Sequence, residues 1–106
     1  MEDCIFCKIV KGEIEAEIEK ETENLVVFKD IHPKAPVHLL IISKKHLVDI
    51  KECDDLLWLE VKKVALELAN EKSLDSWRLI TNVGKAAEIG HMHVHFLGQI
   101  TSQREI

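Results

Sequence analysis

Three histidines alternate in His91-Met92-His93-Val94-His95, and Phe96-Leu97 follow them. In a strand, residues i, i+2 and i+4 share a face. The three imidazoles would then line one side, while Met92, Val94 and Phe96 face the other way into a core. Such a row titrates near neutral pH and admits three uses. It can be a polar solvent face. It can be a metal site, for which imidazoles on one face are suited. It can be a nucleophilic centre, in which one imidazole attacks phosphorus while its neighbours orient it and supply protons.

A second constellation is Cys4-Ile5-Phe6-Cys7. A C-x-x-C pair alone can mean a metal, redox chemistry or nothing. The redox reading wants a thioredoxin-like βαβ pattern, which this chain lacks. Cys53 stands apart and reads as a small, partly buried apolar residue. An odd count of three cysteines does not suggest a disulfide framework.

The elements that must position these residues can be read in order. Phe6 to Val10 suits a short helix or turn, ended by Lys11-Gly12. Ile14 to Thr22 alternates loosely and reads as an edge strand; Glu23-Asn24 is a turn signal, and Leu25 to Phe28 is a buried strand completing a hairpin. Asp30 to Pro36 carries both prolines and is a loop. His38 to Ile42 is a third strand. Asp54 to Lys72 is the one long helix: Leu57, Val61, Val64 and Leu68 form an apolar stripe, and Asp54 or Asp55 can cap its start. Trp77 to Asn82 and His91 to Leu97 are the fourth and fifth strands. The expectation is an α+β fold: a mostly antiparallel five-stranded sheet, one main helix on a face and a short N-terminal helix. The second face or an edge of the sheet then needs a cover, which a homodimer would supply.

The chain has 106 residues, 46% of them apolar and 31% charged, which suits a single globular domain over 1–106. No apolar run approaches the roughly 18 residues of a membrane span, and the start has no secretory pattern, so a cytoplasmic protein without a membrane partner is expected. The net charge of −5 disfavours general nucleic-acid binding, which needs surplus Lys and Arg. A small phosphate ligand held by backbone N–H groups and histidines stays open.

Taken with the rest of the chain, H-x-H-x-H resembles the signature of the histidine triad nucleotide hydrolases and transferases. Cys4 to Ile9 with Gly12-Glu13-Ile14 is similar to that family's N-terminus. Asp30-Ile31-His32-Pro33 with Ala35-Pro36-Val37-His38 is similar to its central loop. Ile41-Ile42 with Lys44-Lys45-His46, and Asn82-Val83-Gly84 before the triad, extend the likeness over nearly the whole chain. The branch it most resembles is the nucleotide-binding proteins and purine nucleoside phosphoramidases.

The resemblance implies roles residue by residue. His93 would be the nucleophile, forming a nucleotidyl-imidazole, with its other ring nitrogen held by the His91 carbonyl. His95 would contact the phosphate and leaving group, and His38 would be a further active-site histidine; on its own, His38 reads as a satisfied histidine at a strand end. Asp30 would accept hydrogen bonds from the ribose hydroxyls, where the plainer reading is a carboxylate beginning a turn. Ile5, Phe6, Ile9, Phe28, Ile31 and Leu40 would line the base pocket, although any of them could be core. Asn82, Glu88 and Ile89 would belong to the loop facing the phosphate. Cys4, Cys7, His46 and His91 would bind a structural zinc, a standard Cys2His2 set.

Two departures matter. The segment from Asn82 to His91 is two residues shorter than the family's, lacks its Gly-Gln pair and carries Glu88. In the family this loop offers backbone N–H groups to the phosphate. The tail from Gln99 to Ile106 has no tryptophan or proline of the phosphoramidase kind; Glu15, where the family has a proline, is a neutral change. The expected activity is hydrolysis of a nucleoside phosphoramidate or dinucleoside polyphosphate. The alternative is a nucleotide-binding module with weak or no catalysis; a purely structural zinc protein ranks third.

Overall fold

The computed structural model describes residues 3–102. Its elements are helix α1 (Ile5–Val10), strands β1 (Ile18–Glu21), β2 (Leu25–Lys29) and β3 (Val37–Ser43), helix α2 (Asp55–Glu71), and strands β4 (Trp77–Ile80) and β5 (His93–Gly98). The strands form one antiparallel sheet in the order β1-β2-β3-β5-β4. This is the α+β arrangement expected from the sequence.

Strict alternation divides the sheet into two faces. Leu25 and Val27 of β2, Leu39 and Ile41 of β3, and Val94 and Phe96 of β5 pack with Met92 against Val61, Val64, Ala65 and Leu68 of α2. The α2 stripe is thus the one the apolar spacing predicts. Asp54 caps the helix: its side chain accepts the Leu57 N–H at 2.8 Å, satisfying one of the orphan donors of the first turn.

On the opposite face Phe6 of α1 packs with Val26, Phe28, Leu40 and Ile42, joined by Ile9, Val10, Ala16 and Ile89. Part of the second face is therefore covered from within the chain, by the N-terminal helix, and not left to a second copy alone. What α1 leaves uncovered is a cleft.

Three strands depart from the expected bounds by two residues or more, the other two by a single residue at one end or both. The first strand does not run from Ile14 to Thr22: regular pairing is limited to Ile18–Glu21 and breaks register between Ile18 and Lys20. Ile14 and Ala16 instead turn to the cleft. The fourth strand stops at Ile80, because Thr81 leaves the ladder to donate its hydroxyl to the His93 carbonyl at 2.8 Å. The fifth begins at His93 and not at His91. The Met92 N–H bonds to the Leu47 carbonyl, so on that side the chain before His93 pairs with the segment after β3, while the Met92 carbonyl still accepts the Ser43 N–H at 3.4 Å.

Candidate functional site

β3 and β5 run side by side with Leu40 opposite His95 and Ile42 opposite His93. Residues paired across an antiparallel ladder share a face. His93 and His95 therefore project to the α1 side of the sheet, and His38, two pairs further along and opposite Leu97, joins them. They border a cleft of about 720 Å³ that is also lined by Ile5, Phe6, Ile9, Phe28, Asp30, Ile31, Leu40, Asn82, Glu88 and Ile89. Every residue expected at the nucleotide thus lies on this one cleft. It is lined as well by Ile14, Glu15, Ala16, Lys29, His32, Lys34, Ile80, Ala86 and Leu97, which the sequence reading did not single out. His32 and Lys34 could have been suspected from their place in the Asp30 loop; Ile80 and Leu97 follow only from the strand register.

Hydrogen bonds assign the protons on the imidazoles. The His93 Nδ1–H donates to the His91 carbonyl at 2.8 Å, leaving Nε2 with a free lone pair. Phe6 packs edge-on against the same ring, 5.1 Å between centroids. The Lys34 N–H donates to His38 Nδ1 at 3.0 Å, so neutral His38 carries its proton on Nε2. That proton faces His95 Nδ1 at 2.9 Å and Asp30 Oδ2 at 3.3 Å. With its Nδ1 accepting, His95 holds its own proton on Nε2. The cleft thus contains one imidazole ready to attack and another ready to donate.

Asp30 has two duties. Its Oδ1 accepts the His32 N–H at 2.8 Å, which is the turn role, while Oδ2 sits beside His38. A metal ion shared by Asp30, His38 and His95, whose donor atoms do lie close together, conflicts with the Lys34 bond. Ligation through Nε2 would require the proton on Nδ1, where Lys34 already donates.

Burial is the main cause lowering the pKa of both His38 and His95. For His38, Asp30 opposes the shift and Lys34 adds to it; for His95, His93 and His38 add to it, while Asp30 and Glu88 oppose it. A histidine depressed in the folded state binds fewer protons there than when unfolded. Stability from these two groups is fully present above about pH 6.5 and is lost as pH falls from there through their folded values. The expected result is a stability curve that declines on acidification below pH 6.5, and a shallower decline in His95→Gln. Urea melts at several pH values measure the slope; equal slopes in variant and parent would refute the assignment.

His91 has a different environment. It is fully buried, its Nε2–H donates to the Ser43 carbonyl at 2.6 Å, and its bare Nδ1 lies 3.2 Å from Cys4 Sγ and 3.5 Å from Cys7 Sγ. His46 Nδ1 is 3.1 Å from Cys7 Sγ. These four donor atoms lie within 4.8 Å of one another. In a tetrahedral zinc site, sulfur and nitrogen ligands lie about 3.6 Å apart, so the spacing fits. The chemistry fits too: a backbone carbonyl fixes the His91 tautomer with its lone pair toward the thiols, as a ligating histidine requires. Burial pushes the Cys7 thiol up, so a cation is needed to hold it as thiolate.

Asp49 is a buried tie beside the site that the sequence reading missed. It is buried, its Oδ1 accepts the Lys51 N–H at 2.9 Å and its Oδ2 accepts the Gly84 N–H at 3.3 Å. It ties the segment after His46 to the start of the 84–90 loop. The only signal in the sequence is an Asp placed to cap the short turn Ile50–Glu52.

Fold and site together define a class: an α+β domain that presents histidines from a central strand into one cleft. A family model described as the scavenger mRNA decapping enzyme C-terminal binding domain matches residues 3–105. A HIT family hydrolase from Clostridium thermocellum superposes with a TM-score of 0.90 at 38% identity, covering 100% of this chain and 98% of that one. A zinc-bound histidine triad family protein from Mycobacterium smegmatis gives 0.85 at 28% identity, covering 97% and 79%. An adenosine 5'-monophosphoramidase of Saccharomyces cerevisiae is 38% identical over 89% of this chain and 61% of its own length. The chain belongs to the histidine triad (HIT) family.

Proposed function

We propose that this protein is a nucleotidyl hydrolase that works through a covalent nucleotidyl-histidine on His93. The observation that carries the reading is the His93 Nδ1–H bond to the His91 carbonyl, which leaves Nε2 free at a cleft wall. The Nε2 lone pair attacks the α-phosphorus of a nucleoside phosphoramidate, or of a dinucleoside polyphosphate. The bond from phosphorus to the leaving group breaks, and the departing atom takes the proton on His95 Nε2. Water then attacks the same phosphorus and gives its proton to His95. The phosphorus–His93 bond breaks, releasing a nucleoside monophosphate and restoring both imidazoles.

Asp30 serves the ribose hydroxyls, and the apolar group of Ile5, Phe6, Ile9, Phe28, Ile31 and Leu40 holds the base. A purine is favoured by the adenosine named in the yeast relative. Cys4, Cys7, His46 and His91 hold zinc, in line with the zinc-bound mycobacterial relative. Its role is structural, as for a closed Cys2His2 set.

A second copy of the chain completes the assembly along β4. The β1 edge is lined with Glu17, Glu19 and Glu21, a charged edge that resists pairing, whereas β4 offers Trp77-Arg78-Leu79-Ile80. Leu56, Trp58, Leu59 and Leu66 of α2 stay exposed and apolar. Sedimentation equilibrium should return a dimer; a monomer mass at micromolar concentration overturns this.

Turnover of an adenosine phosphoramidate, quenched in alkali and read by intact-mass spectrometry, tests the function. The adduct should appear on the parent protein and be missing from a His93 variant. Glu88 in the shortened loop favours a second reading, a nucleotide-binding module. Tight AMP binding by calorimetry with no turnover would select it.

A further inference from the structure

The charge around the cleft is unusual for a site that takes an anion. Its walls carry three carboxylates, Glu15, Asp30 and Glu88, against two ammonium groups, Lys29 and Lys34. Lys29 is already engaged, with Nζ 2.7 Å from Glu17. Asp30 is occupied by the His32 N–H and by His38. Glu88 has no hydrogen-bond or ion-pair partner among the described residues, so its charge is uncompensated. It stands on the 84–90 loop, between half-buried Ala87 and Ile89, and Ile89 anchors the loop to the α1 cluster. The field of Glu88 reaches His95, the proton donor on the same cleft.

We infer that Glu88 is a specificity-determining residue: its carboxylate, lining the same cleft as His95, selects nucleotides whose phosphorus carries an amine over those in which it carries a further phosphate. This deepens the proposed reaction and rests on it. The leaving group must sit near His95 to receive its proton. An amine departs neutral or gains a positive charge, which the carboxylate favours. A phosphate departs with added negative charge, which it opposes. Coulomb interaction between unit charges in a partly solvated cleft is worth roughly a three- to tenfold change in binding.

The test compares AMP with ADP, which adds one phosphate at the leaving-group position. Calorimetry on the full chain should give tighter binding of AMP than of ADP. Glu88→Gln should narrow that preference about three- to tenfold, mainly by improving ADP. Glu88→Asp should keep it, and added salt should shrink it in the parent, as screening of an exposed charge requires. The ratio of kcat/KM for adenosine phosphoramidate over ADP should fall in Glu88→Gln by a similar factor. A ratio unchanged within about twofold, with AMP still bound and the phosphoramidate still turned over, overturns the role of Glu88 alone. AMP binding without any turnover removes the hydrolase reading but still reports the AMP-to-ADP ratio. If neither nucleotide binds, both ideas fail.

Discussion

Replacing His93 with alanine should lower turnover of an adenosine phosphoramidate by roughly 10⁴-fold or more, while AMP binding survives. The expectation follows from what the residue supplies. His93 Nε2 is an unprotonated imidazole nitrogen with its other nitrogen anchored to the His91 carbonyl at 2.8 Å. Without it, water must attack the phosphorus directly, and the two easier steps of covalent catalysis collapse into one hard one. Asp30 and the apolar cleft wall proposed to hold the base are untouched, so nucleotide affinity should change by much less than the rate.

The alanine variant removes a buried ring that packs on Phe6, so its folding must be checked by its thermal midpoint. His93→Gln is the better-filled companion. Its amide can still donate to the His91 carbonyl, and it has no nucleophilic nitrogen. If both variants fold, bind AMP and retain more than about a tenth of parental turnover, His93 is not the nucleophile.

Much of this geometry was legible in the chain because its signals are local. The alternation from His91 to Leu97 fixes two faces by the pleat alone, and the spacing of Val61, Val64 and Leu68 marks the buried side of α2. What stayed hidden depends on contacts between distant segments. Ile14 and Ala16 look like members of a strand, yet the chain there bends to the cleft, which no pattern of period two can reveal. Likewise His91 belongs to the alternating row by sequence. It lies outside the regular strand because Leu47 takes the Met92 N–H and Ser43 takes the His91 Nε2–H. Asp49 shows the same limit: a lone Asp in a loop reads as solvated, and only its bonds to Lys51 and Gly84 make it a buried tie. The cover on the second sheet face was missed because a six-residue helix gives too short a pattern to show which side it buries.

Stripping the zinc proposed for Cys4, Cys7, His46 and His91, or making Cys4→Ser, should cost this domain about 4 kcal/mol or more and lower its thermal midpoint by at least roughly 15 °C. Isolated helices shorter than about 12 residues are marginal in water, and α1 has six residues. Its position therefore depends on tertiary ties. The Cys4 Sγ accepts the Cys7 N–H at 3.3 Å, but the longer-range hold comes from both thiols meeting His46 and His91 across the sheet. Release of that hold exposes the apolar cluster around Phe6 and leaves buried His91 Nδ1 facing only protonated thiols. The same loss should reach the cleft, since Ile5, Phe6 and Ile9 of α1 form one of its walls. AMP affinity should then drop together with stability. Metal content by atomic absorption, a thermal melt and AMP calorimetry on one preparation check the three consequences. Cys53→Ser serves as the control and should alter none of them, because Cys53 lies outside the four-residue cluster. If Cys4→Ser keeps both the metal and the parental midpoint, the four residues are not a structural metal centre.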